Sequence, residues 1–253
     1  MKVLLSPAKA LDIEKKINSS IITEPIFMSE AEGLIKKLSK FSSNKIGKMM
    51  SLSRDLSQLN FNRYQNWKAV TSLNGENALA GAAFNGEVYR GFDATNMNAR
   101  ELEIAQDRVR ILSGLYGILK PLDVIYPYRL EMGTKWAVTS AKKNLYKFWG
   151  SKLAEALNAE SEDGIIINLA SAEYFKAVDR KTLKGRVITP SFKEFKDGDY
   201  KVVMVYAKKA RGFMARYIVQ NNISDPEQIK LFDTGGYMFD VNQSTEDEWV
   251  FTR

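Results

Sequence analysis

Residues 164–176 read GIIINLASAEYFK, and this stretch decides how the fold is read. Its opening is an unbroken apolar run, rich in isoleucine and too short for a helix. A strand buried on both faces shows such a run, whereas a half-exposed strand alternates. It therefore belongs in the middle of a sheet. Its continuation differs in character: Asn168, Ser171, Glu173, Tyr174 and Lys176 follow closely. Polar side chains at the carboxyl end of a central strand are where α/β proteins commonly hold ligands. The competing reading is local, with Ser171 capping a short helix and Glu173 complementing its dipole.

The flanking segments supply the rest of the sheet and its cover. After it, residues 186–189 and 200–206 read as strands, with a turn at Asp197-Gly198. Residues 209–221 read as a helix, and 237–241 with 249–252 as a terminal hairpin. Before it, residues 101–112 and 145–157 read as amphipathic helices. Residues 3–5 form a short buried strand that ends at Ser6-Pro7. Residues 29–40 have helical spacing with Ser29 as N-cap. Residues 44–50, 54–59 and 61–70 continue helically, 78–84 are small and apolar, and Asn85-Gly86 marks a turn. Helices and strands are mixed without regular βαβ alternation. This predicts one α/β (mixed α+β) domain over residues 1–253, with a mixed central sheet surrounded by helices in an unusual arrangement.

The formal net charge is +7, and it is unevenly placed. From residue 225 onward seven acidic residues face two basic ones, which leaves 35 basic and 23 acidic residues in the first 224. A basic body attracts polyanions; a solvated lysine-rich surface is the blander reading. The chain has no cysteine and no histidine. That excludes thiol, disulfide, Cys/His-zinc, His-ligated haem and Ser-His-Asp chemistry. A general base would be Glu, Asp, Lys or Tyr. Any metal would be held by oxygens, which suits magnesium. No cofactor or membrane span is expected, and the N-terminal apolar run is too short for a signal peptide. The expectation is a cytoplasmic monomer.

Four constellations could carry chemistry. Residues 110–133, RILSGLYGILKPLDVIYPYRLEMG, interleave glycine and proline with Tyr116, Tyr126 and Tyr128 and with Arg110, Lys120 and Arg129. Rigid backbone that presents cations and rings suits anionic, stackable ligands; an irregular packed connection reads equally well. Residues 206–216, YAKKARGFMAR, place Lys208, Lys209 and Arg211 near a helix start that lacks acids, the reverse of the usual dipole pattern. Ser6 and Lys9 follow the first strand. From Leu34 to Arg54 there are six basic residues and no acidic one. Beyond them LSQLNFNRYQNW (residues 56–67) is similar to the second half of a helix-hairpin-helix, whose hairpin amides meet a DNA phosphate. Gln58 and Asn60 would stand where that hairpin has glycines, and two packed helices are the plainer reading. The carboxylates Glu87, Asp123, Glu131 and Glu173 could include a base or magnesium ligands, although no spacing among them is diagnostic.

Seven segments in order, SPAK (6–9), FNGEVYRG (84–91), RILSGLYGILKPLD (110–123), PYRLEMG (127–133), LYKFWG (145–150), NLASAEYFK (168–176) and YAKKARG (206–212), resemble the YaaA family of bacterial peroxide-stress-resistance proteins. The resemblance runs on to GYMF (236–239) and covers essentially the whole chain. It implies a cytoplasmic protein of unusual α/β fold that limits peroxide and iron-linked damage. It also implies DNA binding through a basic cleft with a helix-hairpin-helix element near residues 44–67. On this reading DNA is held largely independently of sequence. Lys9, Arg110, Lys120, Arg129, Lys176, Lys208, Lys209 and Arg211 are the expected cleft cations. Tyr116, Tyr128 and Tyr174, with Ser6, Asn85, Asn168 and Ser171, would assist them. The alternative is an enzyme acting on a nucleotide, nucleic acid or other phosphorylated small molecule. There Glu173 or Glu131 would be the base, Lys9 or Lys176 the charge stabiliser, and magnesium the metal.

Overall fold

The structure, a computed structural model, describes residues 1–69, 72–161 and 163–253. Its centre is the strand Ile165–Asn168, paired in parallel with Lys2–Leu5 on one side and Arg186–Lys196 on the other. The sheet of eight strands runs Met238–Asp240, Glu248–Thr252, Arg186–Lys196, Ile165–Asn168, Lys2–Leu5, Val109–Ser113, Gly117–Leu119, with Asp199–Lys201 added to the long third strand. The five inner strands are parallel. The outer pairings, and that of Asp199–Lys201, are antiparallel. Parallel strands need cover on both faces, and Lys2–Leu5 and Val109–Ser113 are buried at every residue. One apolar cluster runs from Val3 to Phe251.

Several elements differ from the sequence reading. The helix expected over 101–112 is Ala99–Arg108, set by an Asn98/Glu101 capping box. At Val109 the chain becomes a strand, because VRIL fills the slot beside the first strand and pairing outweighs helix spacing. The helix expected over 145–157 is two, Leu145–Trp149 and Lys152–Glu160, broken at Gly150 with φ +54°. The strand expected through Tyr206 stops at Lys201, and a long helix, Met204–Gln220, begins five residues before the expected start. The helix expected over 29–40 is Met28–Leu38; Phe27 precedes it and Ser29 lies inside.

The expected helix-hairpin-helix is also redrawn. Ser43–Met50 and Arg54–Asn66 are its two helices, and the hairpin is Ser51 to Ser53, with Ser51 left-handed at φ +53°. Ser42 and Ser53 cap the two helices through Lys45 and Leu56 N–H. Gln58 and Asn60 thus lie inside the second helix, where Gln58 donates to Asn62 Oδ1. Of the helix expected over 61–70, residue 70 lies outside the described residues.

Candidate functional site: a mixed-charge cavity at the carboxyl ends of the strands

The parallel strands deliver their carboxyl ends to one edge of the sheet, and the chain leaves there into polar loops. Leu5 leads to Ser6, and Asn168 leads to Ser171. Ser6 Oγ accepts the Ser171 N–H at 2.8 Å, and Leu169 N–H donates to Leu4 O, so the two exits are tied together. The short pairing of Ala10–Leu11 with Phe84–Asn85 brings Lys9 and Asn85 to the same place. Tyr89, on the helix Glu87–Phe92, donates its hydroxyl to Ser6 O at 3.0 Å.

The far wall is the long helix. Met204, Lys208 and Arg211, at i, i+4 and i+7, share one face of Met204–Gln220. The helix Glu87–Phe92 crosses it with its backbone in contact. A Cβ on Gly212 would lie 1.9 Å from Val88 O, and one on Gly91 2.4 Å from Lys209 O. Only glycine permits that approach.

These elements enclose a cavity of about 790 Å³. Its charged lining comprises Lys9, Arg129, Lys208 and Arg211 against Glu87, Glu131 and Glu173. Glu131 Oε1 meets Arg129 Nε at 2.9 Å and Lys9 Nζ at 3.9 Å. Glu173 Oε1 accepts the Gly133 N–H at 2.9 Å, and Glu87 pairs with Arg90. The long helix is different. Among the described residues its one ion pair is Arg216 with Asp93, which leaves Lys208 and Arg211 without a carboxylate. Burial pulls the Arg211 guanidinium below its ordinary pKa with no acid to offset it. A half-buried, uncompensated arginine lining a cavity is a receptor for an anion.

The apolar walls include Tyr89, Tyr128 and Tyr174. Tyr128 OH is hydrogen-bonded to Ser113 Oγ at 2.6 Å. Burial raises the pKa of all three phenols far above the ordinary value, and the neighbouring Glu173 and Glu131 push Tyr174 further. They are neutral wall, not bases.

Of the residues singled out from the sequence, Ser6, Lys9, Asn85, Glu87, Tyr128, Arg129, Glu131, Ser171, Glu173, Tyr174, Lys208 and Arg211 line this cavity. Six lie elsewhere. Arg110 is 2% exposed and bonded to Glu160 at 2.6 Å, because its strand is central and its charge must be met inside. Lys120 joins the same carboxylate at 3.1 Å. Tyr116 is buried behind the cavity, accepting from Trp67 Nε1 and Tyr126 N–H. Asn168 closes the strand end onto Ala170 N–H and Thr189. Lys176 lies over the Tyr146 ring, and Lys209, one position off the cavity face, over Phe213. Asp123 is buried too, accepting from Thr23 Oγ1 and Lys120 N–H. Among the described residues no three acidic groups gather as a metal site. Tyr89 and Met204 line the cavity without a prediction from sequence; Tyr89 stands in the FNGEVYRG segment, which was its signal.

A second, smaller cavity of about 450 Å³ lies at the hairpin. It is lined by Ser43, Asn44, Gly47, Lys48, Leu52, Arg54 and Ser57, with two cations and no carboxylate.

The sequence profile described as peroxide stress protein YaaA matches residues 1–243. The chain belongs to this family. It is 47% identical to a UPF0246 protein of Burkholderia pseudomallei (strain 668), covering 100% of this chain and 98% of that one. It is 48% identical to a UPF0246 protein of Dechloromonas aromatica (strain RCB), covering 100% and 99%. Membership of the YaaA family supports a role in peroxide stress. No described helix is long and apolar enough to cross a membrane.

Proposed function

We propose that this member of the peroxide stress family binds DNA by its phosphates and so shields it under oxidative stress. The observation that carries the reading is the hairpin cavity between Ser43–Met50 and Arg54–Asn66. It is bounded by a tight turn, a helix N-terminus, Lys48 and Arg54, and it holds no acid. Two cations beside a helix N-terminus, with no carboxylate in the cavity lining, suit a phosphate and read no base.

The second helix links the two cavities. Tyr64 donates to Arg129 O, so this helix connects the hairpin to the mouth of the larger cavity. Ten residues separate Arg54 from Tyr64, about 15 Å of helix. Arg63 lies along this stretch, and burial together with the Arg129 charge lowers its pKa. Arg63 stands nine residues beyond Arg54, on the opposite face of this helix, and Arg129 is held by Glu131, so the phosphate contacts are those of Lys48 and Arg54. Limiting iron-linked damage by covering DNA needs no soft metal ligand, and this chain has neither cysteine nor histidine.

The test is fluorescence anisotropy with a labelled duplex across a salt series. Lys48→Gln/Arg54→Gln should weaken binding to all sequences alike and flatten the salt slope by about two units, one for each phosphate no longer neutralised. Unchanged affinity and slope would remove the hairpin from the interface.

A further inference from the structure

The larger cavity does not suit a phosphate backbone. Three carboxylates line it, and each would repel a phosphate that passed through. Its volume, about 790 Å³, is that of a small-molecule site and far below what a duplex requires. Yet it contains two cations with no acid partner among the described residues, Lys208 and Arg211, on one face of the long helix. A ligand that satisfies both facts carries an anion at one end and hydrogen-bond donors at the other.

The walls narrow the class. Tyr128 and Tyr174 are buried in the lining beside Leu130, Leu169 and Val88, a surface for a flat ring. The Tyr89 and Tyr128 hydroxyls are spent on Ser6 O and Ser113. Acceptors remain: among the described residues Glu131 and Glu173 use only Oε1 in their internal bonds, so Oε2 of each is left for a ligand. Carboxylates accept from an exocyclic amino group, as they do from the cytosine amino in base readout.

From this arrangement we infer that the cavity holds one nucleotide with an amino-bearing base: its phosphate on Lys208 and Arg211, its ring between the apolar walls, its amino group on Glu173 or Glu131. The nucleotide is either free or projects from a DNA strand; the recognition chemistry is the same. The inference does not depend on the hairpin, which reads phosphate alone.

Calorimetry on the full chain with CMP and UMP tests it, since cytosine carries an amino donor where uracil has a carbonyl, and uracil's one ring donor is its N3–H. CMP should bind at least tenfold tighter than UMP. Glu173→Gln, which keeps an oxygen for the Gly133 N–H, should erase most of that ratio. Arg211→Gln should weaken CMP about tenfold and leave cytidine unchanged. Ala172→Trp, at an exposed lining position, should block the cavity without a change of charge.

A duplex with one bulged cytosine separates the two sources. Preference for the bulge over the plain duplex, abolished by Ala172→Trp, assigns a DNA-borne nucleotide. CMP selectivity without bulge preference assigns a free one. Equal binding of CMP and UMP, binding that survives Ala172→Trp, or no recognition of either CMP or the bulge would overturn the inference. Lys48→Gln/Arg54→Gln should leave CMP binding intact, so failure of the DNA reading and failure of this one are told apart.

Discussion

The hairpin cavity and the strand-end cavity differ in what their charges leave undone. At the hairpin, Lys48 and Arg54 are the charged residues of the lining and Asp55 stands outside it, so the charge that faces the cavity is positive. At the strand ends, four cations and three carboxylates share about 790 Å³ and partly neutralise one another. Among the described residues only Lys208 and Arg211 of this lining remain uncompensated. A uniform positive rim gives affinity for any polyanion and little discrimination. A mixed, walled cavity gives selectivity, because a wrong ligand leaves a charge unmet. Net charge describes the first region and says nothing of the second.

The sharpest contrast is in how closely the backbone is packed in each region. At the strand-end cavity, Gly212→Ala would drive a Cβ to within 1.9 Å of Val88 O, and backbone cannot move aside. The expected cost is about 3 kcal/mol or more, read as a drop of roughly 6 to 12 °C in thermal midpoint. A loss under 1 kcal/mol would mean that the two helices can separate and the cavity is not rigid.

Next in size is the cluster that belongs to neither region. Glu160→Gln leaves Arg110 buried without its counter-charge, at a cost of about 3 kcal/mol in unfolding free energy. Burial alone would raise the Glu160 carboxyl, but Arg110 and Lys120 outweigh it and hold the folded-state pKa below its ordinary value. The stabilisation is therefore complete above the ordinary carboxylate range and fades as pH falls through the depressed value. Denaturant melts below about pH 4.5 should show wild-type stability falling, and the variant should follow a flatter curve there. Duplex and CMP binding should not change. A shift in either would return Arg110 and Lys120 to the ligand surface.

A crossed pair of variants tests the division itself. Lys48→Gln/Arg54→Gln should lower duplex affinity about tenfold at low salt, and Lys208→Gln/Arg211→Gln by no more than about threefold. Equal losses would merge the two regions into one polyanion groove. The smallest effect is expected at the hairpin's own glycine. Gly47→Ala puts a Cβ 2.3 Å from Ser57 Oγ, a hydroxyl that can rotate away, so about 1 kcal/mol is expected by thermal unfolding. A loss as large as that of Gly212→Ala would make the hairpin as rigid as the cavity wall.

Legibility followed the same physical line. The central strand could be read because burial on both faces leaves an unbroken apolar run, and Ile165–Asn168 pairs on both sides. The start of the long helix could not: VVMVYA is β-branched and aromatic, and it is helical from Met204 although most of it is exposed, as the head of a helix whose close packing on Glu87–Phe92 lies further along, at Lys209 to Phe213. Glycine is the usual sign of a tight turn, and that sign misplaces the hairpin at Gln58. Ser51 instead takes the left-handed conformation itself.

Composition by itself removed cysteine and histidine chemistry, concentrated positive charge in the first 224 residues and marked the strand that centres the sheet. These are local or additive properties, and no packing can alter them. Tertiary structure decided which charges are spent. Arg110 and Glu160 lie 50 positions apart and meet in the core, while Arg211, in an equally basic stretch, meets no acid among the described residues. A cation's role depends on what lies within a few ångströms of it, and only the folded chain sets that neighbour.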